Sequence, residues 1–278
     1  MPNSRSVFLT PLIIFAVIVL AAIPLLWVNY SWANWQPASC MPNRCFCEAL
    51  RDGFIRQPVD TFSNLPYVLV GLLMIAIARD DWQRGARNNL MQSHRAYPIL
   101  FGVAAIVIGA GSFFYHASMT FIGQWFDVMG MYLFASFGLV YAYARLRPIR
   151  PAMFLTAYVI MNAMLGYSLA TNPDTLRQIF AAMVYGIIAL EALVLLVERP
   201  KIKTRYFLGA FLCMAVAYAI WTLDENFTLC DPASLFQGHA IWHLLTALAA
   251  FLLYVYYRSE TGKSSPASLE LPQQFPRA

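Results

Sequence analysis

Charge is what this chain has least of. Of its 278 residues, 12% are Asp, Glu, Lys or Arg, while 60% are hydrophobic. A soluble domain of ordinary composition carries roughly 25% charged residues, so a water-facing globular surface is excluded. No basic stretch interleaved with aromatics is present, which excludes a nucleic-acid partner. No internal repeat is visible. Histidine is scarce as well, at four residues, so the place of each one carries weight.

What is abundant is apolar length. Eight runs, at approximately 8–28, 62–79, 96–118, 123–145, 151–170, 177–197, 205–223 and 237–257, each approach the ~20 residues that cross a bilayer core. Segments in hydrocarbon must satisfy their own backbone groups, so the runs are expected to be helices. The fold class is therefore all-α, a polytopic membrane bundle with a seven-helix core and one extra N-terminal helix. Arg5 ahead of the first run also fits a signal peptide. That run is long for one, however, and no clean small-residue cleavage site follows, so a retained helix is expected.

The short loops give sidedness. Arg79, Arg84, Arg87 and Arg95 flank one loop, Arg145, Arg147 and Arg150 the next but one, and Arg199, Lys201, Lys203 and Arg205 a third, with Arg258 and Lys263 after the last run. The connections between them, 118–123, 171–176 and 224–237, lack this basic character. Alternation of this kind predicts both termini in the cytoplasm and residues 30–61 on the outer face. The net charge of +5 thus reports topology before binding. The expected organisation is an N-terminal membrane segment (1–29), an external segment (30–61), a seven-helix domain (62–257) and a disordered cytoplasmic tail (258–278), rich in Ser, Pro, Gln and Lys. Short loops without added domains fit a bacterial inner membrane better than an endomembrane. Nothing in the sequence indicates an oligomeric state.

Sidedness sorts the five cysteines. Cys40, Cys45 and Cys47 fall in the outer segment and Cys230 in the last outer loop, whereas Cys213 is inside a helix. Outer compartments permit disulfides, and a Cys47–Cys230 staple with Cys40–Cys45 as a second is compatible with this placement. Free thiols remain the alternative, because spacing does not fix connectivity.

Three histidines share one level. His116 lies near the outer end of the third run, and His239 and His243 open the last. Spacing of i, i+4 puts the latter two on one helical face. At a rise of about 1.5 Å per residue, all three fall within roughly 10 Å of the outer boundary. A single interfacial histidine is unremarkable; three converging neutral imidazoles make a zinc set with a fourth position left for water. Ser112, one turn from His116, is a candidate donor to an oxyanion. Asp127, about one turn into the next helix, is a candidate general base. The bland alternatives are a Ser bonded to its own backbone and an Asp capping a helix. His94 belongs to the cytoplasmic side and reads as a surface residue. Glu191, deep in the sixth run, needs a partner, and Asp224 with Glu225 end the seventh run close enough to shape the site.

Taken together, Cys47-Glu48, Thr61-Phe62-Ser63-Asn64, Gly111-Ser112 with Tyr115-His116, Asp127, Trp221, Asp224, His239 and His243 resemble the alkaline ceramidase family, within the CREST superfamily of seven-helix membrane hydrolases. The blocks run from about residue 45 to 257. The resemblance implies zinc held by His116, His239 and His243, catalysis by Ser112 and Asp127, hydrolysis of the amide of ceramide, and the Cys47–Cys230 bond. It also implies a calcium ion held by acidic and amide side chains ahead of the core. Glu48 matches that set, but Cys45 and Gln57 stand where acidic residues are expected and the spacing is shorter. Asp52 would substitute only after a local shift. The competing readings are a progestin and adipoQ type receptor sharing the zinc set, a lipid ester hydrolase using the same metal chemistry, and a haem carrier. The haem reading is disfavoured because His239 and His243 share one helix.

Overall fold

The computed structural model describes residues 4–41 and 45–261. Among these residues the regular structure is helical. Eight helices are long and apolar enough to cross a membrane, and the chain is an integral membrane protein. The helices are α1 (Ser4–Ala22), extended by a 3₁₀ turn (Ile23–Trp27), the short α2 (Pro58–Phe62), α3 (Leu65–Gln83), the short α4 (Leu90–Ser93), α5 (Ala96–Ser118), α6 (Phe121–Leu146), α7 (Pro151–Thr171), α8 (Leu176–Val197), α9 (Thr204–Glu225) and α10 (Gly238–Arg258).

Hydrophobicity alone does not pack helices in lipid, because the tails are as apolar as leucine; close backbone approach at small residues does. Gly71 and Gly102 seat α3 on α5, where a Cβ on Gly71 would stand 2.3 Å from the Gly102 carbonyl. Gly111, Gly123 and Gly130 do the same between α5 and α6. α10 packs along α9 and α3, α8 rests on α6, and α1 lies against α3. A buried aromatic core of Phe101, Phe137, Tyr141, Phe154, Tyr254 and Tyr257 fills the half of the bundle near the start of α5 and the end of α10.

Two expected boundaries move. α6 starts at Phe121 rather than 123, because Thr120 Oγ1 accepts the Gly123 N–H and caps the helix. Asp127 is therefore nearly two turns in, not one. Residues 258–261, expected to belong to the C-terminal tail, pack against the bundle. Arg258 ends α10 and pairs with Asp81 at 2.6 Å, the Glu260 carboxylate accepts from Arg145 Nε at 2.9 Å, and Thr261 bridges to Lys201. The remainder of the expected tail, 262–278, lies outside the described residues.

Glu191 has its partner. Arg145 Nη1 donates to it at 2.5 Å, with both side chains fully buried, and Tyr256 donates to the same carboxylate oxygen. A buried charge stripped of its partner would cost several kcal/mol, so this arrangement accounts for Glu191 as structure.

Candidate active site

The segment between α1 and α2 forms a roof over α5 and α10. It is tied down by backbone bonds, Ala38 N–H to the Met119 carbonyl and Phe121 N–H to the Gln36 carbonyl. Met119 takes the left-handed conformation that ends α5, φ 53°. Two disulfides complete the roof, Cys40–Cys45 and Cys47–Cys230. Cys213 is free.

Beneath the roof, His116, His239 and His243 converge. All three are buried, and one ligating nitrogen from each lies within 4.8 Å of the others. His116 Nε2 and His239 Nε2 stand 3.2 Å apart. Zinc–nitrogen bonds of about 2.0–2.1 Å in a tetrahedron require ligand nitrogens roughly 3.3 Å apart, so this pair is already spaced for one ion. Donor type, burial and spacing fit a metal of the zinc class. His94 is exposed at the other end of the bundle.

The second nitrogens have partners of their own. His116 Nδ1 lies 2.9 Å from Gln57 Oε1, and His243 Nδ1 lies 2.7 Å from Ser63 Oγ. Both partners come from the strap around α2. His239 is fixed differently. Its backbone N–H donates to Asp224 Oδ2 at 3.1 Å, while Phe46 stacks on its ring with centroids 3.8 Å apart. Asp224 Oδ1 accepts the Cys47 N–H, so this buried carboxylate joins roof to helix. Its neighbour Glu225 pairs with Arg177 of α8, whose guanidinium lies 5.3 Å from the Trp221 ring.

Ser112 and Asp127 are brought together one turn below His116. A Cβ on Gly111 would meet the Phe126 carbonyl oxygen at 2.6 Å and the Asp127 nitrogen at 3.0 Å, so the backbones of α5 and α6 touch there. The Ser112 side chain and the Asp127 carboxylate are neighbours across this helix contact.

Of the calcium set implied by the resemblance, Glu48 lies against the start of α2. Both Glu48 oxygens accept backbone N–H groups, from Val59 at 2.9 Å and Asp60 at 2.8 Å, and so cap α2. Burial pushes the Glu48 carboxyl above its ordinary range, against the pull of those two donors. Cys45 is held in a disulfide, Gln57 is engaged through both ends of its amide, and Asp52 is exposed. Asp60 is buried without a close hydrogen bond to its carboxylate, the Ala240 N–H at the start of α10 lying on its side.

Sequence reasoning missed Gln57, Ser63 and Phe46 as parts of the site. Ser63 stands in one of the blocks that carry the resemblance, and that was its only signal. Gln57 was visible only as a departure from an acidic pattern.

Comparison with known proteins points to one family. Residues 50–270 match the family model described as Ceramidase, a span that begins before and ends after the expected 62–257. Two putative alkaline ceramidases of Dictyostelium discoideum are similar. One, dcd3B, is 25% identical over 232 residues, covering 73% of this chain and 80% of that protein. The other, dcd3A, is 24% identical over 227 residues, covering 72% and 78%. Both relatives are eukaryotic and lend no weight to the bacterial membrane expected from the short loops. A family match across most of the chain, over a histidine cluster built inside a membrane bundle, places this protein in the Ceramidase family.

Proposed function

We propose that this chain is a zinc-dependent intramembrane hydrolase that cleaves the amide of ceramide or a similar lipid into sphingoid base and fatty acid. The observation that carries the reading is the convergence of His116, His239 and His243 directly above the Ser112–Asp127 pair. Zinc bound there would supply a Lewis acid that activates water and the amide carbonyl.

The chain's own residues do the rest. Asp127 accepts the proton of the attacking water and passes it to the departing amine nitrogen. Water and amide thus become carboxylic acid and amine with atoms in balance. The Ser112 hydroxyl donates to the oxygen that gains negative charge as the carbonyl carbon becomes tetrahedral. Phe46 and the roof keep bulk water from the histidines, which strengthens each electrostatic contact. Glu48 takes the capping role, and no step requires calcium. The lipid tails lie among the helices. By the distribution of Arg and Lys, both termini face the cytoplasm and the site faces the outer side.

Purified protein in lipid nanodiscs, assayed for metal content and for fatty acid released from a ceramide panel, tests this reading. One zinc per chain with release of free fatty acid is expected, and His116→Ala or His239→Ala abolishes both. Zinc without product would move the assignment to a receptor, and product from esters alone would move it to an ester hydrolase.

A further inference from the structure

A histidine that gives one ring nitrogen to a metal must carry its proton on the other, and the partner of that other nitrogen selects the tautomer. Donor accounting around α2 fixes two of the three rings. Ser63 has one hydroxyl proton, and it goes to the Asp60 carbonyl at 2.8 Å. Towards His243 Nδ1, 2.7 Å away, the Ser63 oxygen therefore accepts, so Nδ1 bears the proton and Nε2 is bare.

Gln57 makes the same selection by another route. Its amide nitrogen donates to the Glu48 carbonyl at 3.0 Å, which fixes the amide's orientation. The atom facing His116 Nδ1 at 2.9 Å is therefore Oε1, which has no proton to give. Nδ1 of His116 must carry the hydrogen, and Nε2 is bare. The Gln57 backbone N–H also donates to the His116 carbonyl, while the Gln57 carbonyl accepts from Thr61. One short strap thus grips His116 by main chain and side chain together.

We propose that Gln57 and Ser63 are positioning residues that hold His116 and His243 as Nδ1–H tautomers with Nε2 presented to the metal. This inference rests on the zinc reading. It goes beyond that reading by assigning the ring protons and naming the residues that set them. His239 lacks such a partner, its Nδ1 being buried without a hydrogen bond, so the tautomer control acts on two ligands and not on the third.

The test is zinc affinity, measured by chelator competition on folded protein in nanodiscs, together with nitrogen NMR of labelled histidines. Gln57→Leu and Ser63→Ala remove the acceptors and are expected to weaken zinc about 10–100-fold. Gln57→Glu and Ser63→Thr keep an oxygen in place and are expected to restore tight binding, which a merely structural role would not predict. In the metal-free wild-type protein, where the partners alone set the tautomer, His116 and His243 should both show their proton at Nδ1. That measurement stands even where a variant fails to fold. Wild-type affinity in both Gln57→Leu and Ser63→Ala, or protons at Nε2, overturns the inference while leaving the zinc reading intact. A wild-type protein that takes up no zinc overturns both.

Discussion

Asp224 holds His239 by its backbone, Oδ2 accepting the His239 N–H at 3.1 Å, while Oδ1 takes the Cys47 N–H from the roof. One carboxylate thus sets the start of α10 and the height of the roof above it. Gly238 makes room for this contact, since a Cβ there would come within 2.9 Å of Asp224 Cβ. Removing the carboxylate with Asp224→Ala takes the acceptor from the buried His239 N–H and cuts the tie to Cys47. At about 1–3 kcal/mol for an unmet buried group, the variant should be measurably less stable. Thermal unfolding of the detergent-solubilised protein checks this, and an unchanged midpoint would show that water reaches the site.

The acid–base assignment separates metal binding from turnover. Asp127→Asn should bind zinc as the wild type does and lower kcat by about 10²–10⁴-fold. Ser112→Ala should lower kcat by roughly 10²–10³-fold. Zinc content measured beside kcat checks both, and zinc loss in either variant would assign these side chains to the metal site instead.

Gly111 is needed where α5 touches α6. Gly111→Ala would press a methyl group into the Phe126 carbonyl at 2.6 Å, against rigid main chain rather than a flexible side-chain tip. Although Ala is the better helix former, the variant should be less stable and should lose most of its turnover, because Asp127 moves with α6. A stabilised, fully active Gly111→Ala protein would show that the two helices have room to separate.

Metal removal distinguishes the two ions that the resemblance implies. A zinc-selective chelator should abolish hydrolysis reversibly, with zinc restoring it. A calcium-selective chelator should leave the rate unchanged, because Glu48 is committed to the N–H groups of Val59 and Asp60. A rate that falls with calcium would mean that Glu48 and its neighbours rearrange around an ion.

The spans were legible because length and hydropathy decide what crosses a bilayer, and those are properties of contiguous residues. The metal set was legible for a related reason: His116 and His239 are 123 residues apart, but depth along a helix can be counted from the loop. Gln57 and Phe46 were not legible, because they reach the site through the fold of an irregular strap with no period to read. Glu191 showed only that it needed a partner. Its partner Arg145 lies 46 residues away on another helix, a distance that no local pattern spans.

The contact between Arg145 and Glu260 sets a practical limit at the end of the chain. Glu260 follows the last membrane helix, yet its carboxylate sits inside the bundle beside Glu191's guanidinium partner. The final crossing is thus plugged from below by what sequence alone would trim as a dispensable overhang. Any shortened version, or any purification handle joined at this end, has to leave Arg258 through Thr261 in place or remove one of the two carboxylates that face a deep arginine.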